Sequence, residues 1–275
     1  MISIQEYKPS DHLKPFVECY TVGIFNLYSD PGAAFPVVPS GCLELIIHLN
    51  DQHCNIQGNE DWVHSPDYML IGLFTRVHTV RFPHKVPVFS IRFKPEALFS
   101  LFGIEGAEVM ERYEDITPLL GNSFRDFCHR IRDDNNTAAM IKLSEEFLTS
   151  KIQQNNEKRN YVQRAAEIMR YSDISSIKNI SDEVCISQRQ LERKFKNVIG
   201  VSPKSYLRLL RINRVIRLME QKQQMDLTSV AYHCGYFDQA HFINDFKLIA
   251  GHKPTLLTNG SKQFIVYPGN YSHDE

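Results

Sequence analysis

Residues 187–203 read SQRQLERKFKNVIGVSP, and residues 238–254 read DQAHFINDFKLIAGHKP. Set 51 positions apart, Gln188 falls on Gln239, Leu191 on Phe242, Phe195-Lys196 on Phe246-Lys247, Gly200 on Gly251 and Pro203 on Pro254. In the first copy Ser187 is a helix N-cap and Gln190 completes a capping box. Leu191, Phe195 and Val198 recur at i, i+4 and i+7, which gives a helix one apolar face. Gly200 suits a left-handed exit, and Pro203 opens the next helix. Gln188, Arg189, Glu192, Arg193 and Lys196 fall on the other sides. In the second copy Asp238 caps, Phe242, Phe246 and Ile249 face inward, and Gln239, Ala240, His241, Asn244 and Asp245 are left for the outside. The shared letters are mostly those of packing and capping, and the differing ones those of the surface.

Each copy is preceded by a short helix, with Ile177, Ile180 and Val184 apolar in the first and Leu227, Val230 and Ala231 in the second. A tight turn, "CIS" or "CGYF", joins it to the next helix. A supporting helix, a turn and a helix with a polar outer face make a helix-turn-helix. Between the copies, "PKSYLRLLRINRVIRLME" carries Arg208, Arg211, Arg214 and Arg217. A spacing of three drifts them around the helix, open either to phosphate or to acidic partners within the fold.

Around this pair the chain divides. Its 275 residues exceed one average domain. The composition, 43% hydrophobic and 23% charged, is that of a globular protein. Residues 1–94 read as short strands, among them "CLELIIHL", "YMLIGLF", "HTVRF" and "VFSIRF", separated by Pro, Gly, Asp and Asn, which predicts a sandwich or small barrel. At "KPEALFSLFG" the period changes to helical, with Pro95 in the first turn and Gly103 at the end. Helices are expected over 123–132 and about 137–153, the second with Ala139, Leu143, Glu146/Phe147 and Ser150 stepping round one side, an apolar face that is only partial. Polar "QQNNEK" (153–158) marks a boundary, followed by helices near 159–171, 177–184, 188–199, 203–221, 228–234 and 239–250. The expected class is therefore α+β in two domains. Residues 1–153 form a β-rich sensor or dimerisation domain with flanking helices, 158–258 an all-α domain with two helix-turn-helix motifs, and 259–275 a tail with one short strand.

A net charge of −1 hides an asymmetry. Residues 158–254 hold 17 Lys+Arg and 9 Asp+Glu, a net of +8, and the remainder holds 14 and 23, a net of −9. The helical part suits a polyanion. No apolar run reaches the ~18–20 residues that span a bilayer. The N-terminal "MISIQEYKPSDHLKPF" has no basic segment leading into an apolar one, so no secretion signal and a cytoplasmic location are expected. The six cysteines, Cys19, Cys42, Cys54, Cys128, Cys185 and Cys234, show no C-x-x-C spacing and are expected to be free and buried. Trp62, the only tryptophan, is expected in the core.

The segments "SQRQLERKFKNVIGVSPKSYLRLLRINRVIRLM" and "SVAYHCGYFDQAHFINDFKLIAGHKP" resemble the DNA-binding domain of the AraC/XylS family of bacterial transcription regulators. The resemblance spans residues 159–257. Ser181 and Val215 stand where that family usually has alanine, and Cys185 where it usually has a turn glycine. "VPSGCLELIIHL" and "FSIRFKPEALFSLFG" resemble an N-terminal domain of uncertain role often found ahead of this module.

The resemblance implies that each motif places its second helix in a major groove, the two grooves about one helical turn (~34 Å) apart on one face of the duplex. It assigns base reading to Arg189, Glu192 and Arg193 in the first copy and to Gln239, Ala240, His241 and Asn244 in the second. Arg pairs with guanine, Asn or Gln with adenine, and Glu with cytosine. Lys194 and Lys196 are placed for phosphate, and Gln188 and Lys247 complete the expected DNA-binding set. The first reading helix, 187–198, carries +3 and 238–250 carries −1, so the first is expected to supply affinity and the second discrimination. The expected function is a sequence-specific transcription regulator, an activator, open to control through the N-terminal domain. Expected partners are double-stranded DNA, RNA polymerase, a small-molecule effector and a second copy of the chain, with no cofactor, metal, catalytic residue or membrane. An alternative reading is a metal-dependent β-barrel enzyme with an appended DNA-binding module. It rests on His48, His53, His64, His78 and His84 with Glu44, but no H-x-H or H-x-x-x-H pair, phosphate loop or nucleophile motif supports it.

Overall fold

The computed structural model describes residues 3–25, 34–58, 61–154, 161–172, 176–221 and 226–254. The expected boundary at "QQNNEK" and the tail 259–275 lie largely or wholly outside them. Among the described residues, ten strands form two antiparallel sheets. The larger holds β1 (Ser3–Tyr7), β2 (Val17–Phe25), β9 (Val86–Phe93), β4 (Leu43–His48), β7 (Tyr68–Ile71) and β10 (Tyr113–Asp115), in that order. The smaller runs β3 (Phe35–Val37), β8 (His78–Arg81), β5 (Asn55–Gln57), β6 (Trp62–His64).

The larger sheet is covered on both faces, which explains why β4 is buried at every position. Successive side chains of a strand point to opposite faces. In β4 and β9, Leu43, Leu45, Ile47, Phe89, Ile91 and Phe93 therefore join a helical core, while Ile46, Val86 and Val88 join a second core under the smaller sheet. In that sandwich core Phe25 stacks on Phe82 at 4.8 Å. On the same face Arg92 reaches Glu6 at 3.2 Å and Glu44 at 3.8 Å, and Ser90 Oγ donates to Glu44 at 2.6 Å. A buried guanidinium persists because carboxylates surround it.

Against the outer face lie α1 (Ala97–Phe102), α2 (Gly106–Val109), α3 (Thr117–Asp133) and α4 (Thr137–Gln154). The remaining helices are α5 (Tyr161–Tyr171), α6 (Ile177–Glu183), α7 (Gln188–Ile199), α8 (Pro203–Gln221), α9 (Leu227–His233) and α10 (Gln239–Ala250). One apolar core runs from Leu13 through Phe124 and Leu148 to Phe195, Phe246 and Ala250, so the helical part is welded to the sheet.

Several expectations are corrected. Pro95 precedes the Glu96 N-cap of α1, outside the helix, although Gly103 does end it in the left-handed region. Gly121, at φ 75° and ψ −169°, breaks α3, so its regular part begins close to the expected 123. The buried line of α4 is Met140, Ser144 and Leu148, one position round from the expected side. Ser144 is admitted because its hydroxyl donates to Met140 O at 2.8 Å. Strand β10 was not expected, since three residues between helices carry no period. Trp62 is half-buried, with the Arg81 guanidinium 4.1 Å above its ring. Cys185 is exposed, while the other five thiols are buried.

Candidate nucleic-acid interface

The two motifs form the same way locally. Ser187 Oγ accepts from Gln190 N at 3.3 Å, and the Gln190 side chain accepts from Ser187 N at 3.2 Å, closing the expected capping box. Asp238 accepts from His241 N at 2.7 Å. The supporting helices are capped too, α6 by Ser176 and α9 by Asp226. Both reading helices exit through a left-handed glycine, Gly200 at φ 96° and Gly251 at φ 77°. Leu191, Phe195 and Val198 are buried, and so are Phe242, Phe246 and Ile249.

The turns differ by one residue. Ile186 N donates to Ser181 O, and Tyr236 N to Ala231 O, each closing a turn of the same size. Before the turn the copies are 50 positions apart and after it 51, so Phe237 is the additional residue. It projects into solvent, 86% exposed, directly before the Asp238 cap. Sequence reasoning missed it; the change of register from 50 to 51 was the available signal. In the first turn Cys185 occupies the left-handed region at φ 56°, as Gly235 does in the second at φ 76°, which is why a glycine is usual there.

Of the expected reading set, Gln188, Arg189, Glu192, Arg193, Lys194 and Lys196 are all exposed on α7. Gln239, Ala240, His241, Asn244 and Lys247 are exposed on α10. Among the described residues no ion pair engages Arg189, Arg193, Lys194, Lys196 or Lys247. His241 is partly committed inside its own motif: its ring meets Tyr236 edge-on at 5.3 Å, and its Nε2 lies 3.6 Å from Asp245.

Asp245 itself is buried, contrary to expectation, because Arg208 of α8 reaches its carboxylate at 3.1 Å. Arg208, Arg211 and Arg217, all half-buried, thus meet groups within the fold. Arg211 lies over the Tyr236 ring at 5.9 Å, and Arg217 is in electrostatic reach of Glu18, whose pKa burial raises.

In the N-terminal half, His48 stacks on His53 at 4.5 Å, and its Nε2 lies 3.2 Å from Ser65 Oγ. His78 bonds Tyr113 on another strand pair. Among the described residues no three His, Cys, Asp or Glu side chains converge as a metal site. No described helix is long and apolar enough to cross a membrane.

Residues 180–259 match a family described as a helix-turn-helix domain. The match covers 80 of the 275 residues. Residues 5–115 match a domain of unknown function (DUF6597). The HTH-type transcriptional activator RhaS of Escherichia coli O157:H7 is 30% identical to this chain over 86 residues, which are 31% of each protein. The RhaS of strain K12/DH10B is 29% identical over the same length. The matched part is thus about a third of these relatives' length, 31%. Among solved structures, ToxT of Vibrio cholerae aligns over 94% of this chain and 97% of its own, at 10% identity and a TM-score of 0.48. Its fatty-acid-bound form aligns at 12% identity and a TM-score of 0.47, over 94% of each chain. The supporting and reading helices described above fall inside the matched residues, except that α6 begins three residues before Ile180.

Proposed function

We propose that this chain is a sequence-specific DNA-binding transcription regulator, with residues 158–258 as its DNA-binding unit and 1–153 as a domain that senses or dimerises. The reading rests on one observation: the helix-turn-helix pair repeats a buried scaffold while exposing a different polar set on each copy. Arg189, Glu192 and Arg193 read bases from α7, and Gln239, Ala240, His241 and Asn244 from α10. Gln188, Lys194, Lys196 and Lys247 hold the backbone, and Phe237 adds an apolar contact beside the second reading helix. Lys196/Lys247 is an identical charged pair that stays exposed, as a backbone contact common to both copies would be. The matched relatives are named activators, and we carry that sign over, with RNA polymerase as the partner it implies. A small-molecule effector would enter the sandwich interior, where Val37, Cys42, Glu44, Phe74 and His78 line a cavity. The family match favours a regulator over an enzyme.

The test is genome-wide mapping of bound sites, followed by gel shifts on the recovered sequence. Binding should weaken steeply with salt, by a slope of roughly −0.9 per phosphate neutralised. Scrambling either half-site should weaken it further. Salt-insensitive binding, or indifference to both half-sites, refutes the reading.

A further inference from the structure

The N-terminal domain touches the two reading helices at the same place. Gly106, the first residue of α2, packs on the end of α7 so closely that a Cβ there would lie 2.5 Å from the Ile199 carbonyl carbon and 2.7 Å from Val198 O. From the other side, a Cβ on Gly200 would lie 2.8 Å from Gly106 O. At the end of α10, Val77 N donates to Ile249 O at 2.7 Å, and Val77 Cγ1 sits 2.9 Å from where a Gly251 Cβ would be. Val198 and Ile249 are equivalent in the repeat, as are Gly200 and Gly251.

The two contacting segments are bound to each other. Gly72 N donates to Arg112 O at 2.9 Å, and Glu111 N to Leu73 O at 3.2 Å. Thr75 donates to the Glu111 carboxylate through both its N–H and its hydroxyl. Tyr113 pairs with Ile71 where β10 meets β7. A Cβ on Gly72 would lie 1.7 Å from Val109 O, so the backbones are in direct contact. Glu111 holds a left-handed φ of 53°, a strained conformation for a side-chain-bearing residue, at the join.

We propose that residues 72–77 and 106–112 form one brace, and that its ends, Val77 and Gly106, are positioning residues that set the two reading helices relative to each other. The brace rests on the DNA-binding reading for its purpose but not for its existence. Two separate packing contacts would hold each helix alone. A shared brace transmits a push on one helix end to the other, and makes the distance between half-sites a property of the N-terminal domain as well as of α8.

The test is native-state hydrogen exchange on the full chain without DNA, comparing the parent with Gly106→Ala. The added methyl forces α2 off α7. The Val77 amide, at the other end of the brace, should then exchange at least about tenfold faster, as local opening there becomes easier. Faster exchange confined to residues 198–200, with Val77 at the parent rate, overturns the brace. Val77→Ala provides the reverse reading and covers the case in which Gly106→Ala does not fold. It should speed the Gly200 amide, and an unchanged Gly200 amide overturns the proposal equally. On DNA, one base pair inserted between the half-sites should cost the parent at least about tenfold in affinity and the brace variants clearly less, given coupling of that order between packed elements. Equal discrimination by parent and variants sinks the positioning role. Because exchange is read without DNA, its failure is distinct from a failure to bind DNA at all.

Discussion

Arg170 of α5 grips both carboxylate oxygens of Glu96, 74 residues earlier at the start of α1, and donates to the Tyr206 hydroxyl of α8 at 2.9 Å. Both charged side chains are 2% exposed. Arg170 therefore ties the sheet-bound α1 to α5 and, through Tyr206, to α8 inside the shared core. Glu96→Ala should destabilise the full chain by about 3–5 kcal/mol, because a buried guanidinium loses its carboxylate. Glu96→Leu combined with Arg170→Met should recover much of that. Urea unfolding of the parent and the two variants decides it, and a loss below about 1 kcal/mol for Glu96→Ala contradicts the account.

Packing and reading should separate cleanly in the repeat. Phe246 is 1% exposed and touches Phe242 edge-on at 5.9 Å. Phe246→Ala should cost ~3–5 kcal/mol of stability. Arg193→Ala should leave the melting temperature almost unchanged and weaken binding to the mapped site by ~1–3 kcal/mol. An Arg193→Ala protein that melts early, or binds normally, removes Arg193 from the reading set.

Cys185 offers a stabilising change. Its φ of 56° strains a residue with a Cβ, and its side chain is exposed, so glycine loses no packing. Cys185→Gly should raise stability by about 0.5–1 kcal/mol, the relief of a left-handed residue exceeding the added chain entropy of glycine. The same thiol should react with a thiol reagent in the native protein while the five buried ones stay protected until unfolding. Native labelling of two or more equivalents would show a wrong assignment of exposure.

Acid should weaken the sandwich. Burial, then the neighbouring His53, lowers His48 to a pKa of about 4, against 6.5 for the free side chain. His78 is lowered to about 3 by burial. Both are neutral in the folded chain at pH 7. As pH falls below about 6.5 the unfolded chain takes up protons that the folded chain refuses, so stability drops with pH until about 4 is reached for His48. The contribution of His48 amounts to about 2 kcal/mol lost by pH 5. His53, Asp67 and Ser65 face its ring. His48→Gln should flatten the decline measured by urea unfolding between pH 7.5 and pH 5. A decline equal to that of the parent rules His48 out as its source.

What the sequence by itself determined is whatever is written at short range. The spans 188–199 and 239–250 follow from a cap, a period of 3.6 and a terminal glycine, and 203–221 from Pro203 at its start, all within one helix length. The exposed positions of α7 follow from the same wheel. Within 1–94, the segments that form β4, β7, β8 and β9 were legible because Pro, Gly, Asp and Asn punctuate them. Tertiary structure decided the rest. Asp245 occupies a surface position of its own helix wheel, and only the arrival of Arg208 from α8 buries it. The α4 face shifted by one position because Ser144 could bond its own helix and so pass for apolar. Strand β10 exists only because β7 offers it an edge. The contacts of Gly106 with Ile199 and of Val77 with Ile249 join residues 93 and 172 positions apart through backbone atoms alone. A backbone contact asks only that a side chain be small or an N–H be free, and it leaves no pattern along the chain. Which faces of the repeated helices meet the N-terminal domain was therefore fixed by packing across the whole molecule.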